Sequence, residues 1–330
     1  MPGFGNERVE ERLADRRRPA REGHDVQLTP LAQKILGWYA ELGRTHLPWR
    51  REPTPYRVVV SEFMLQQTQV ERVIPAFESF VARFPDFATL ADASRADVVR
   101  AWQGLGYNSR AVRLHELARF VRDGHDGVLP HDEAALRALP GVGPYTARAI
   151  RAFAFGADVV AVDTNVRRIV HRTRFGLEHP PKASAVELDD AATELLPPGQ
   201  GFAFNSALMD FGSTLCTARA PKCLICPLQA ECAAAPLEAA AIARAVAADG
   251  VRRGRRKPVK FERTTRYLRG RVIDRLRALP AERAISLLEL QSEFESLVAL
   301  HGGLGFSEAV EALEREGLLE ATPGGLRLRS

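Results

Sequence analysis

A mainly α-helical fold is predicted, and three features of the chain predict it. From Pro30 to about Pro236 the residue pattern is helical, with no convincing alternation of strand type. The helical stretches are separated by short breaks rich in Gly, Pro and Asp, such as "PDF" at 85–87 and "LPPGQG" at 196–201. Helix starts are marked locally: Thr54 is followed by Pro55, a polar cap and then proline at the first helical position. With 330 residues and 45% hydrophobic content, the chain suits two domains with ordinary cores.

Residues 1–28 mix Arg, Glu, Asp, Gly and Pro without periodicity and are expected to form a disordered arm. A helix is expected to run from Thr54-Pro55 through "SEFMLQQTQV" at 61–70. Within it Glu62 falls three and four residues after Val59 and Val58 and three before Leu65, on or beside an apolar face. Gln66 and Gln67 follow one turn on. Two readings of Glu62 stand side by side. It is a boundary glutamate that reaches solvent or pairs with arginine, or it is an acid whose pKa is raised by desolvation so that it donates a proton at neutral pH.

The stretch "LPGVGPYTARAIRAFAFG" at 139–156 reads as a helix hairpin. Gly141 and Gly143 are expected to supply backbone conformations closed to other residues, and Pro144 to open the second helix. Such a turn leaves backbone N–H groups at a helix N-terminus, a site for phosphate, or it is a plain helix–helix connection. In "VVAVDTNVRRIV" at 159–170 an apolar run enters Asp163 and a helix begins there, so Asp163 is at least a helix cap.

Cys216, Cys223, Cys226 and Cys232 give C-x6-C-x2-C-x5-C, and they are the only cysteines in the chain. The N-terminus is arginine-rich and lacks the apolar core of a signal peptide, so disulfides are a poor reading and a shared metal is expected, zinc being one candidate. No apolar run approaches the roughly 18 residues that span a membrane. A net charge of +5 and a pI near 9.2 favour a polyanionic partner. Lysine occurs only at positions 34, 182, 222, 257 and 260, so no amine is available between 34 and 182 to form a Schiff base.

An Ala-rich piece at 237–248 leads into "RRGRRKPVKFER", and 237–263 is taken as a basic linker. The remainder, 264–330, is expected to be a separate unit. It comprises a basic helix ("RYLRGRVIDRLRAL"), a second helix ("SLLELQSEFESLVAL"), a third stopped by Gly317, and two extended runs about Pro323-Gly324-Gly325. Three helices and a terminal hairpin predict a winged-helix-like domain. Arg263, Arg266, Arg269 and Arg271 at its start are expected to add phosphate contacts.

Several of these strings resemble one family. "LPGVGPYTA" resembles the helix-hairpin-helix of the endonuclease III superfamily of DNA glycosylases, and the cysteine spacing, with Pro227 after the third, is similar to its 4Fe-4S ligand set. "LPWR" at 47–50, "SEFMLQQTQV", "GLGYNSRA" at 104–111 and "FNSALMDFG" at 204–212 resemble the adenine DNA glycosylases of MutY type. The resemblance implies a six-helix barrel over about 49–158 and an iron-sulfur domain built from 29–48 and 159–236. It implies hydrolysis of the N-glycosidic bond of adenine mispaired with 8-oxoguanine or guanine, with Glu62 as general acid and Asp163 as the second catalytic carboxylate. Tyr145 and Asn165 then orient these carboxylates, while Gln66, Gln67 and Tyr107 fill the gap left by the flipped base. Gly141 and Gly143 face phosphate, Arg219 and Lys222 lie in a basic loop braced by the cluster, and the four cysteines hold the 4Fe-4S group. Lyase-competent relatives carry lysine where this chain has Tyr145, which implies a monofunctional enzyme.

Double-stranded DNA with mismatched or oxidised base pairs is the expected partner of a monomer located in the cytoplasm with the nucleoid; no membrane association is expected. Three departures stand out: Asn108 follows Tyr107 where the family repeats tyrosine, Ser206 stands where many members carry Glu or Gln, and the Nudix-like domain that reads 8-oxoguanine is not visible. Thymine or uracil mismatch glycosylase and non-catalytic DNA-binding protein are the alternative readings.

Overall fold

The structure, a computed structural model, describes residues 28–252, 259–280 and 282–330. The arm expected over 1–28 lies outside the described residues up to position 27, as does the 253–258 part of the linker. The longer helices are α1 (Pro30–Leu42), α2 (Pro55–Leu65), α3 (Val70–Arg83), α4 (Arg95–Ala101), α5 (Ser109–Gly124) and α6 (Pro144–Phe155). They continue as α7 (Thr164–Arg174), α8 (Ala185–Glu194), α9 (Gly201–Thr214), α10 (Ala239–Arg252), α11 (Thr265–Arg277) and α12 (Gly303–Arg315). Side-chain caps start many of them: Thr29 accepts from the Ala32 N–H, Thr54 from Arg57, Ser94 from Asp97, and Ser184 forms a reciprocal capping box with Glu187. Thr54-Pro55 opens α2 as the sequence predicts.

α2 does not run through residue 70. It stops at Leu65, and a new helix starts at Val70. The reason lies far away in sequence: the guanidinium of Arg110 takes the carbonyls of Phe63, Met64 and Gln66, which the next turn of helix would have used.

Two apolar clusters organise the chain. One holds residues from Leu47 to Ile150, including Phe63, Phe77, Phe80 and Trp102; the other combines α1 with α7, α8, α9 and Leu228. The first cluster also takes in Leu268, Val272, Ile273 and Leu276 from α11 and Phe306 and Leu313 from α12. The C-terminal segment, which the sequence set apart, is thus packed on the barrel. Burying the four α11 side chains alone is worth on the order of 6–12 kcal/mol, comparable to a domain's whole net stability. Arg277 seals the seam by donating to the Val99 carbonyl at 3.0 Å and to Asn108 Oδ1 at 2.7 Å. Asn108, the departure beside Tyr107, is therefore a docking point for this module.

Within 237–263 the described chain is helical from Ala239 to Arg252. The second C-terminal helix divides in two, Leu287–Glu293 and Glu295–His301, at Phe294, whose ring turns inward toward Phe306. The chain ends in a hairpin, β1 (Leu319–Thr322) against β2 (Gly325–Leu328), with Leu319 opposite Leu328, and an added bridge joins Ile285 to Leu326.

Candidate active site

A cavity of about 250 Å³ opens between the two clusters. α2 contributes Ser61, Glu62 and Leu65, the first turn of α6 contributes Tyr145, and the start of α7 contributes Asp163 and Asn165. Trp49 and Arg50 come from the single turn Pro48–Arg51, and Met209 from α9. Residues about a hundred positions apart therefore converge on one space.

Glu62 is only 7% exposed. Burial pushes its carboxyl up to about 7; the hydrogen bond from the Tyr145 hydroxyl opposes this, nearby Asp163 reinforces it, and Arg50 opposes it more weakly. Tyr145 is in turn held far above the ordinary phenol range, by burial first and then by the two carboxylates, so it remains a donor. Glu62 therefore does not reach solvent.

Asp163 is managed in the opposite way. As the N-cap of α7 it accepts from the backbone N–H of Asn165 at 2.8 Å and of Val166 at 2.7 Å, and from Asn165 Nδ2 at 2.9 Å. Asn165 is itself fixed: its Oδ1 accepts from Arg168 Nη2 at 2.8 Å. Arg168 also donates to the carbonyls of Gly212 at 2.6 Å and Cys216 at 2.8 Å, so a chain of side chains links Asp163 to the cysteine loop. Gly212 is needed for this approach, because a Cβ there would lie 2.6 Å from the Asn165 Cβ.

The fixed cation of the cavity is Arg50. It forms a fork on the fully buried Asp210 at 2.8 and 3.1 Å, and Arg44 engages the same carboxylate through its backbone N–H at 2.7 Å and its side chain at 2.6 Å. Burial alone would raise the Asp210 carboxyl, but Arg50 and Arg44 hold it below the usual range. Arg50 and Asp210 stand within "LPWR" and "FNSALMDFG", but nothing local announces a pairing across 160 positions. Ser206 is fully buried, its hydroxyl makes no hydrogen bond, and the cavity walls do not include it.

Gln66, Gln67 and Tyr107 sit on two adjoining loops beside the cavity. Gln67 and Tyr107 both adopt positive φ, 57° and 45°, a costly conformation for residues other than glycine. Arg110, buried on α5, joins these loops by donating to Phe63, Met64 and Gln66 on one side and to Leu105 and Gly106 on the other. It too was missed by the sequence reading, although it stands inside "GLGYNSRA".

The hairpin before α6 follows the short helix Glu133–Arg137. Gly141 has φ +77°, and a Cβ there would meet the Phe63 ring at 2.9 Å. Gly143 differs from the expectation: it is extended at φ −91°, ψ 178°, with open space around it. Pro144 already steers the preceding residue to extended backbone, so this glycine is not required by conformation. Its bare Cα leaves the N-terminus of α6 uncovered.

Cys216, Cys223, Cys226 and Cys232 come close enough to influence one another's ionisation. Burial pushes the Cys226 thiol up to about 11 against a hydrogen bond from the Leu228 backbone, and the other three sulfurs reinforce the rise. Arg172 Nη1 lies 3.6 Å from the Cys216 sulfur while the same guanidinium pairs with Glu178 at 2.6 Å. Among the described residues no three His, Cys, Asp or Glu side chains are arranged around a single metal ion. Arg219 and Lys222, between the first two cysteines, are exposed.

Helical lobes around a two-carboxylate cavity, with a glycine hairpin on one side, define a helix-hairpin-helix repair protein. Residues 60–197 match the family described as "HhH-GPD superfamily base excision DNA repair protein". The adenine DNA glycosylase of Mycolicibacterium smegmatis is 40% identical over 296 residues, covering 88% of this chain and 93% of that protein. That of Mycobacterium tuberculosis is 41% identical, with 88% and 90% covered. The chain belongs to the adenine DNA glycosylase family. Among solved structures a thermostable thymine-DNA glycosylase superposes with a TM-score of 0.57 at 30% identity, over 61% of this chain and 93% of that one.

Proposed function

We propose that this protein is a monofunctional DNA glycosylase that releases adenine mispaired with 8-oxoguanine or guanine in double-stranded DNA. The observation that carries the reading is the pairing of a buried Glu62 with an Asp163 that accepts three N–H hydrogen bonds, across one cavity.

An adenine turned out of the helix stacks in the cavity, and its N7 takes the proton held by Glu62. The C1′–N9 bond then breaks and adenine leaves as a neutral base. The positive charge that grows on the sugar is met by the Asp163 carboxylate, whose position is fixed by α7 and Asn165. Water adds at C1′ and Glu62 recovers a proton. Tyr145 holds Glu62 in place, and Asp210 anchors Arg50 on the cavity wall. Lys34 is engaged with Glu231, and among the described residues no lysine lines the cavity, which supports hydrolysis without a Schiff base.

Cys216, Cys223, Cys226 and Cys232 would hold a 4Fe-4S cluster. The chemistry of the donor set supports this: four neighbouring thiols, with the Arg172 guanidinium 3.6 Å from the Cys216 sulfur to offset thiolate charge. The loop between Cys216 and Cys223 would then be braced, and its exposed Arg219 and Lys222 would be available to phosphate. Anaerobically purified protein is expected to be brown, with about four irons and four sulfides per chain.

The deciding experiment is single-turnover base excision on duplexes pairing A, T, U or C with each of guanine and 8-oxoguanine. Adenine release, leaving an alkali-labile abasic site in an unbroken strand, is the expected result. Release of thymine or uracil opposite guanine with adenine left intact would overturn the reading.

A further inference from the structure

Between the glutamine–tyrosine loops and the C-terminal module runs a groove of about 690 Å³, lined by Gln67, Tyr107, Asn108, Phe261, Arg266 and Arg271 among others. At its centre the guanidinium of Arg266 lies between two rings, 4.7 Å from the centroid of Tyr107 and 4.8 Å from that of Phe261. The same guanidinium donates to the Tyr107 hydroxyl. Arg110 also lies over the Tyr107 ring, 5.6 Å from its centroid. Arg269 is paired with Glu316, but Arg266 has no carboxylate partner among the described residues. An exposed guanidinium held only by aromatic rings and a hydroxyl gives up little when a phosphate is offered instead.

We propose, building on the reading of Tyr107 as the residue that wedges the duplex, that this groove is a second DNA-contact surface and that Arg266 is a latch within it. While the groove is empty, Arg266 caps Tyr107 and holds it against Arg110. When a duplex arrives, Arg266 transfers to a backbone phosphate and the tyrosine is released into the base stack. The C-terminal module thereby controls the wedge from the barrel surface. Its occupant is the phosphate backbone beside the wedge, and the contact is indifferent to base identity.

This arrangement makes an unusual prediction for a double-mutant cycle. Each single variant, Arg266→Ala or Tyr107→Ala, loses one DNA contact but is also relieved of breaking the latch. The double variant loses both contacts and is relieved only once. Its loss of affinity for a mispaired duplex should therefore exceed the product of the two single losses by roughly two- to fivefold, the worth of one exposed cation–π contact. On an undamaged duplex, Arg266→Ala should make the slope of log affinity against log salt shallower by about 0.9, and Arg266→Lys should keep the slope. Both residues lie at the surface, and unchanged thermal melting verifies that each full-length variant is folded. Independent losses, or a double loss smaller than the product, would overturn the latch; an unchanged salt slope would overturn the phosphate contact. Neither measurement depends on excision, so failure of the adenine reading would appear separately, as absent base release.

Discussion

The two walls of the catalytic cavity handle the same functional group by contrary means. On the α2 side Glu62 is withdrawn from water and given one hydroxyl donor, so its carboxyl keeps a proton up to about pH 7. On the α7 side Asp163 instead accepts three N–H hydrogen bonds at the start of a helix. The proposed mechanism asks for an acid and an anion at one bond, and both would come from carboxyl groups that differ in what surrounds them.

The largest test of this contrast is substitution. Glu62→Gln and Asp163→Asn are each expected to slow single-turnover adenine release by at least about a hundredfold, within the usual range for acid–base and electrostatic catalysis, while binding to mispaired DNA persists. Near-normal excision by either variant would remove that residue from the mechanism. The wild-type rate should next separate the walls by pH. Above about pH 7 the proton on Glu62 is lost, and the rate constant should fall about tenfold per unit. A flat profile to pH 9 would mean that Glu62 is not the donor.

A smaller effect is expected from the support of the α7 wall. Arg168→Ala removes the fixed partner of the Asn165 carbonyl, and a loss of one such charged hydrogen bond should slow excision roughly tenfold. Single-turnover kinetics beside binding isotherms would distinguish this from weakened DNA affinity. The smallest effect concerns stability. Burial pushes the Glu62 carboxyl from its ordinary value of 4.5 up to about 7, so the folded state retains a proton that the unfolded chain gives up in that window. The associated stability is complete below pH 4.5 and gone above about pH 7. Glu62→Gln should therefore melt a few degrees above wild type at pH 8 and show less advantage at pH 4.5. The reverse order would contradict a buried, reluctant carboxylate.

The legible parts of this molecule were those written locally. Thr54-Pro55, the apolar spacing about Glu62, and Asp163 ahead of a helix all rest on neighbours within a few positions, and each is found where the pattern puts it. What could not be read depends on partners remote in sequence. α2 ends five residues early because Arg110, some 45 positions on, captures its carbonyls. Arg50 and Asp210 find one another only in the folded chain. The C-terminal segment, separate by composition, shares the barrel's core because helix periodicity says that α11 has an apolar face and not what covers it. Removing residues beyond Pro236 would consequently uncover that core as well as delete basic side chains.

Arg110 ties the backbones of the loops that carry Gln67 and Tyr107 together, and under the proposed function this bears on the search along DNA. Two independent probes would each lose their freedom separately at every attempted insertion. With both loops hung from one guanidinium, that ordering is completed when the chain folds, and it is not repeated at each base pair. The same economy concentrates risk. A single codon change at Arg110 would loosen both loops at once, together with the end of α2 that follows Glu62.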